Sequence, residues 1–244
     1  ASYRDPELLK TLEDLLKKIA WVKSIRPNIV VGINTNGSIR NPAWWTECAK
    51  LLTNIYDYVV FSIDGLADTN HIYRVGVQFV KIMQNAQAYI DAGGSAHWDM
   101  LVFDHNKHQI EDCKQMADSM GFTWFRSKET DRWDQFTFEH IKPANTHNYI
   151  DYTAIDSIQC ERNVESSTYI DYLGQEFPCC HMGEMYYNET QKHNHTDMKE
   201  FTPKELMTEY QTKLDNNNPF YVCKRSCGKT VNKRSQWKQE IQLR

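Results

Sequence analysis

The chain has 244 residues, of which 41% are hydrophobic and 25% charged, and its formal net charge is -4. This composition is typical of a folded globular protein, and the negative charge argues against a general nucleic-acid binder. No apolar run approaches the roughly 20 residues that span a bilayer, and the first residues lack the basic and apolar regions of a signal peptide. The sequence therefore predicts a cytoplasmic protein that does not interact with membranes.

Helical and strand-like segments alternate over residues 1–130. Short apolar runs rich in β-branched residues predict strands, at Ile29–Ile33, Tyr58–Ile63, Trp98–Phe103 and Phe122–Arg126. Segments with helical spacing predict helices, which begin at Asp5-Pro6, Asn41-Pro42, Val75 and Gln109. A polar loop is predicted over Gly65–Arg74. This alternation indicates βα units and a parallel sheet.

Polar residues follow three of the predicted strands, at Asn34–Gly37, Ser62–Gly65 and Asp104–Asn106. Ligands of parallel α/β proteins bind at the carboxyl ends of the strands. The sequence therefore predicts one site at the edge where these three segments meet.

The alternation stops near residue 131. Residues 131–157 have no clear period and are interpreted as a linker. Residues 158–244 are predicted to form a second, small domain, with a short strand at Ser167–Asp171 and a helix from Pro203 to Leu214. The basic C-terminal tail is interpreted as a solvated terminus.

Five of the seven cysteines lie in the last third of the chain, at Cys160, Cys179, Cys180, Cys223 and Cys227. Without a secretory signal, such a cluster indicates a metal site before it indicates disulfides. Four thiolates suit an iron–sulfur cluster or a structural zinc ion, which His181 would help to bind. Cys180 is interpreted as a spectator. Cys48 and Cys113 are interpreted as buried small hydrophobic residues.

Three features in this order resemble the radical S-adenosylmethionine superfamily: Thr35-Asn36-Gly37, then Ser62-Ile63-Asp64-Gly65 with Arg74, then the Cys160–Gly174–Cys179 spacing. Members with a C-terminal SPASM or twitch domain, which carries an auxiliary [4Fe-4S] cluster, are the most similar. The resemblance covers nearly the whole chain and implies an α/β fold with a partial (β/α) barrel and a small cysteine-rich iron–sulfur domain.

The resemblance also implies roles for individual residues. Ser62 and Arg74 would contact S-adenosylmethionine, and Asp5 lies where the family binds the methionine amino group. Asn36 and Asp64 are further cofactor-binding candidates, although each is equally interpreted as a residue that shapes its own turn. The auxiliary cluster would be held by Cys160, Cys179, Cys223 and Cys227.

One family feature is missing. No CxxxCxxC motif, which holds the cluster that reduces S-adenosylmethionine in the family, occurs in the sequence. We therefore expect an N-terminally truncated chain that lacks its first strands, is inactive alone and leaves an unpaired sheet edge near Ile29–Ile33. The alternative is a homologue that has lost the motif naturally. A second [4Fe-4S] cluster is expected only in the intact protein.

For the intact protein, the resemblance implies a 5′-deoxyadenosyl radical that abstracts a hydrogen atom from a substrate. A peptide or protein substrate and a reductant protein are expected partners. The alternative is a non-catalytic module stapled by zinc or an iron–sulfur cluster, which binds a partner through the open end of the sheet. Colour separates zinc from iron–sulfur, because only the latter is brown.

Overall fold

The computed structural model describes residues 6–129, 158, 160, 168–171, 173–186, 198, 200–227 and 239–243. The predicted linker at 131–157 and Asp5 lie outside the described residues. Contacts divide the chain into two compact units. Unit 1 comprises Ala1–Thr146 with Ser235–Arg244, and unit 2 comprises His147–Arg234. The predicted division into three parts stays a prediction.

Helices and strands alternate through the first 129 residues. In chain order they are α1 (Pro6–Ile25), β1 (Gly32–Thr35), α2 (Pro42–Leu51), β2 (Tyr58–Ser62), α3 (Asn70–Tyr73), α4 (Phe79–Asp91), β3 (Ala96–Val102), a 3-10 turn (Lys107–Gln109), α5 (Ile110–Met120) and β4 (Trp124–Glu129). The later elements are β5 (Tyr169–Ile170), β6 (Glu176–Phe177), α6 (Cys180–Tyr186), α7 (Pro203–Asp215), α8 (Tyr221–Cys227) and β7 (Gln239–Gln242).

Unit 1 contains a five-stranded sheet in the order β1-β2-β3-β4-β7. Strands β1 to β4 pair in parallel, and β7 pairs antiparallel with β4. The predicted α/β class with a mostly parallel sheet is confirmed. Strand β1 lies at an edge of the described sheet, as expected.

One face of this sheet carries the apolar core. Side chains alternate between the two faces of a strand, so Phe61, Trp98, Met100 and Phe125 all point to the face that packs against the helices, where they are fully buried. Burying a side chain of this size contributes roughly 1.5–3 kcal/mol relative to its exposure. The helical layer therefore covers this face of the sheet, whereas the opposite face carries polar residues together with the buried Val60.

Three sequence predictions need correction. The segment predicted as a loop contains the short helix α3, and the helix predicted from Val75 begins only at Phe79. The tail predicted to be solvated includes β7, which adds a strand to the sheet of unit 1. Residues 239–242 of that tail form a strand because they pair with the edge of β4. Local sequence does not reveal this pairing.

Unit 2 has a small core of its own. The hairpin β5–β6 and helices α6 and α7 meet around Phe177, Met182, Leu206 and Phe220, all buried. Helix α7 begins with a capping box, in which Thr202 and Glu205 each bond the other's backbone N–H group. This core positions the cysteines of the last third of the chain.

None of the described helices is long and apolar enough to cross a membrane.

Candidate functional site

The carboxyl ends of β1, β2 and β3 lie at one edge of the sheet, because these three strands are parallel and adjacent. Asn36, Ser62 and Asp104 follow or end these strands and therefore lie at the same edge. The predicted convergence of the three polar segments is confirmed. Their side chains, however, differ in what they do.

Asn36 shapes the turn after β1. Its Oδ1 accepts hydrogen bonds from the Ser38 backbone N–H at 3.0 Å and from the Ser38 hydroxyl at 2.8 Å. The next residue, Gly37, has a φ of 69°, and a Cβ there would lie 2.8 Å from the Phe61 ring. The structure therefore gives Asn36 the turn-forming role that its sequence context offered as an alternative.

Asp64 is a buried residue to which several residues at this edge of the sheet form hydrogen bonds. Its side chain is 0% exposed, and Oδ2 accepts a hydrogen bond from Arg74 Nε at 2.6 Å, whereas Arg74 remains 24% exposed. The other oxygen, Oδ1, accepts from the Leu101 backbone N–H at 2.6 Å. Burial raises the pKa of Asp64, while Arg74 and the Leu101 N–H act in the opposite direction. Asp64 thus holds Arg74 in place and does not itself face solvent.

Two buried asparagines hold the Asp64 backbone. Asn70 Oδ1 accepts from the Asp64 N–H at 2.8 Å, and Asn106 Nδ2 donates to the Asp64 carbonyl oxygen at 2.9 Å. Asn106 is therefore a structural residue at the end of β3. The hydrogen bond to Asn70 ties the Asp64 backbone to α3, which carries Arg74 at its C-terminal end. Sequence reasoning named Asn106 only as part of a polar segment and did not single out Asn70.

The face of the sheet opposite the helices carries a polar row that sequence analysis missed. Ser62 is the register partner of Asp99, which is in turn the partner of Arg126. Arg126 Nε and Nη2 donate to the two oxygens of Asp99 at 2.6 and 2.8 Å. Ser62 forms no side-chain hydrogen bond with the described residues. Ser62 therefore lies on the same face of the sheet as the Asp99–Arg126 ion pair.

His97 lies on the same polar face, two residues before Asp99 in β3. Its ring stacks parallel to Tyr58, with centroids 4.9 Å apart. Burial and the nearby Arg126 lower the pKa of His97 to about 4. The imidazole is therefore neutral at physiological pH and adds hydrogen-bonding capacity without charge. The alternation of polar and apolar residues in β3 was the available signal for this face.

The four predicted ligand cysteines line one cavity in unit 2. The cavity has a volume of about 280 Å³, and Cys160, Cys179, Cys223 and Cys227 all contribute to its wall. Cys180 and His181 also line it, and the side chain of Cys180 is exposed. Three separate chain segments thus bring four thiols together.

Local structure explains how each thiol reaches the cavity. Cys223 and Cys227 stand one helical turn apart in α8, and positions four residues apart share a helix face. Gly174, with a φ of 78°, forms the turn of the hairpin that leads to Cys179. Because left-handed φ values favour glycine, the predicted role of Gly174 in this turn is confirmed.

Cys179 immediately precedes helix α6. Burial raises its pKa to about 11, although the backbone N–H groups of Met182 and His181 donate to its sulfur and lower the pKa. A thiol of this kind is protonated at neutral pH unless a metal takes the place of the proton.

The lining of the cavity contains the donor atoms of a metal centre. Thiols are the donors that both structural zinc and iron–sulfur clusters use, so the residues that line the cavity suit either centre. Within the part of the chain that the structure describes, no three His, Cys, Asp or Glu side chains group together as ligands of a single metal ion.

The two remaining cysteines belong to the core of unit 1. Cys48 and Cys113 are fully buried, and burial raises the pKa of each thiol to about 12. Their prediction as small hydrophobic residues is confirmed.

Comparisons with known proteins give only distant matches. No protein-family model and no curated protein match the chain. Streptococcus suis SuiB bound to S-adenosylmethionine is 15% identical with a TM-score of 0.45, and the match covers 86% of this chain and 56% of SuiB. A second structure of Streptococcus suis SuiB gives 15% identity and a TM-score of 0.41, covering 55% of this chain and 29% of that protein.

Native anSMEcpe with bound AdoMet is 14% identical with a TM-score of 0.38, and the match covers 49% of this chain and 33% of that protein. The chain thus spans between 29% and 56% of the length of these proteins. Identities and TM-scores this low do not support a conclusion about function, which must rest on the residues of the chain itself.

Proposed function

We propose that the chain belongs to a radical S-adenosylmethionine enzyme and that unit 2 is a SPASM- or twitch-type domain with an auxiliary [4Fe-4S] cluster. The observation that carries this proposal is the cavity lined by Cys160, Cys179, Cys223 and Cys227. The sequence features around Asn36, Ser62 and Arg74 support it, as does the mostly parallel sheet with a polar edge.

In this proposal the four thiols hold the auxiliary cluster. Cys223 and Cys227 would bind it from one face of α8, and Cys179 would bind it from the position just before α6. The cavity wall also contains the buried apolar side chains of Met182 and Val222. The protein would thereby supply the ligands and part of an apolar surrounding.

For S-adenosylmethionine, the candidate surface is the polar face and edge of unit 1. When bound, this cofactor would supply the radical chemistry, through a 5′-deoxyadenosyl radical that could abstract a hydrogen atom. Ser62 offers a hydroxyl, and Arg74 offers a guanidinium that Asp64 orients. Arg126, aligned by Asp99, adds a second cation on the same face as Ser62. These groups would bind and orient S-adenosylmethionine, because arginine is a preferred partner of carboxylates such as the one in this cofactor.

The substrate proposed from the family resemblance is a peptide or protein, and a reductant protein would supply electrons. We also propose a cytoplasmic location.

Metal identity tests the proposal. Anaerobic reconstitution of the chain with iron and sulfide is expected to give a brown protein with about four iron and four sulfide per chain. The measurement is iron and sulfide analysis together with the visible absorption spectrum. Stoichiometric zinc with no uptake of iron would contradict the proposal and favour the non-catalytic zinc module.

Cofactor cleavage gives a second prediction. Because none of the seven cysteines stands in a CxxxCxxC motif, the 244-residue chain with dithionite is expected to release no 5′-deoxyadenosine from S-adenosylmethionine. Fusing a segment with a CxxxCxxC loop ahead of Ala1 is expected to restore the product, measured by chromatography. The same fusion with the three loop cysteines changed to alanine is the control. Release of 5′-deoxyadenosine by the unfused chain would show that another cluster performs the cleavage.

A further inference from the structure

A buried glutamine holds the loop that leads into α3. Gln109 ends the 3-10 turn before α5 and is only 4% exposed. Its Oε1 accepts hydrogen bonds from the Leu66 backbone N–H, at 3.0 Å, and from the Thr69 hydroxyl. Its Nε2 donates to Asp68 Oδ1 at 2.9 Å. One amide side chain that follows β3 therefore fixes three residues of the loop that follows β2.

This loop determines where α3 begins. The Leu66 carbonyl oxygen accepts a hydrogen bond from the Asn70 N–H at 2.9 Å, and the Asn70 carbonyl oxygen accepts one from the Arg74 N–H at 2.9 Å. A helix of four residues is too short to hold its own conformation, so its direction depends on the contacts at its two ends. Gln109 fixes the loop before α3, and Asp64 holds Arg74 at the end of α3.

We propose that Gln109 is a positioning residue for Arg74. By fixing the loop before α3, it keeps the Arg74 guanidinium on the Asp64 carboxylate and thereby increases the affinity of the polar edge for S-adenosylmethionine. Without the amide, the loop adopts other conformations, and the cofactor binds only to the fraction of molecules in which Arg74 is in place. The affinity part of the inference rests on the proposed function, because it requires that the cofactor binds at this edge.

The experiment follows the Arg74 Nε–H group of the full chain by heteronuclear NMR. An N–H group that is bonded to a buried carboxylate exchanges slowly with water, and the loss of one signal in Arg74→Lys assigns it. Gln109→Met is nearly isosteric and removes all three hydrogen bonds of the amide. We expect this variant to exchange the Arg74 Nε–H proton roughly tenfold faster and to bind S-adenosylmethionine roughly tenfold more weakly in equilibrium dialysis.

A double variant tests whether hydrogen bonds, and not packing, are responsible. Gln109→Glu with Asp68→Asn exchanges the amide and the carboxylate, so that the side chain at position 68 now donates and the one at position 109 accepts. The Leu66 N–H and the Thr69 hydroxyl keep an oxygen acceptor. We expect the double variant to restore slow exchange and most of the affinity. Gln109→Glu alone places two carboxylates side by side and is expected to restore neither.

Asn85→Leu is the matched control. Asn85 is a fully buried amide that holds a different loop, because its Nδ2 donates to the Gly37 carbonyl oxygen at 2.8 Å. Its replacement is expected to lower the urea midpoint of unit 1 and to leave the exchange rate of the Arg74 Nε–H proton unchanged. A general loss of stability is thereby distinguished from a loss of positioning.

The outcomes separate the inference from the proposed function. If the Arg74 Nε–H proton exchanges as slowly in Gln109→Met as in the unmodified chain, the inference is overturned. Faster exchange that the double variant reverses supports it. If the exchange rates follow this pattern but the unmodified chain binds no S-adenosylmethionine, the positioning stands and the proposed function fails. If the chain binds the cofactor and Gln109→Met binds it equally well, the affinity part alone is overturned.

Discussion

Replacing Cys223 or Cys227 by alanine is expected to abolish cluster binding and to destabilise the whole of unit 2. Each variant removes one of four thiols around the cavity, and both positions lie on the same face of α8. Because the free energy of metal binding contributes directly to folding in such sites, the loss extends beyond the cavity. Iron content is expected to fall from about four per chain to background.

The two units can be followed separately in this experiment. Every tryptophan lies within the ranges of unit 1, at Trp21, Trp44, Trp45, Trp98, Trp124, Trp133 and Trp237. Tryptophan fluorescence therefore reports on unit 1, whereas visible absorption reports on the cluster. We expect faster proteolysis between residues 147 and 234 and an unchanged urea midpoint by fluorescence.

Cys180→Ala is the matched control for the cysteine variants. Cys180 also lines the cavity, but its side chain is exposed. As a spectator, it can be replaced with full retention of iron. Full iron content in Cys223→Ala or Cys227→Ala would rule out the proposed ligand set.

Replacing Arg74 by methionine is expected to destabilise unit 1 by about 3–5 kcal/mol, because it leaves a buried carboxylate without its cation. Asp64 is 0% exposed, and Arg74 Nε is 2.6 Å from its Oδ2. The backbone of Asp64 is held by two hydrogen bonds, one that its N–H donates to Asn70 Oδ1 and one that its carbonyl oxygen accepts from Asn106 Nδ2, so a shift of the carboxylate toward solvent would break them. Urea unfolding followed by tryptophan fluorescence measures the loss.

The pH dependence of this variant has a defined sign. Arg74 lowers the pKa of Asp64 against the larger effect of burial, so its removal raises that pKa further. Both folded-state pKa values lie above the unfolded value of about 3.9. Between the pKa of Asp64 in the unmodified chain and its higher pKa in the variant, the folded variant binds a proton that the folded unmodified chain has lost. Stability of Arg74→Met, relative to the unmodified chain, is therefore expected to be constant below this window and to decrease as pH rises through it.

Two further variants isolate the ion pair. Asp64→Asn removes the buried charge and keeps an oxygen that accepts the Leu101 N–H bond. In an Asp64→Asn background, Arg74→Met is expected to cost much less, since no unpaired charge remains. Arg74→Lys keeps a cation and should retain most of the stability. Equal costs of Arg74→Met in both backgrounds would show that Arg74 contributes by packing and not by charge.

Much of the fold follows from local patterns in the sequence. The apolar runs ending in polar residues predicted the parallel strands β1 to β4 within a few residues, because buried strands need continuous apolar segments. The spacing of Cys223 and Cys227 and the glycine at position 174 predicted which thiols meet. These features depend on neighbours in sequence, which is why the sequence reveals them.

Other features depend on which strands pair and in what register. In β3, His97 and Asp99 alternate with the buried Trp98 and Met100, a pattern visible in the sequence. Only the pairing of β3 with β4 puts Asp99 beside Arg126. A shift of one residue would move every side chain to the opposite face, so no local pattern predicts this ion pair.

The sequence by itself therefore determined the class of fold, the common edge of the polar segments and four cysteines that line one cavity. Only the tertiary structure decided that Asp64 is buried against Arg74, that Ser62 faces Asp99 and Arg126, and that residues 239–242 complete the sheet. The physical reason is that burial and strand pairing arise from contacts between residues distant in the chain, whose energies depend on the assembled core.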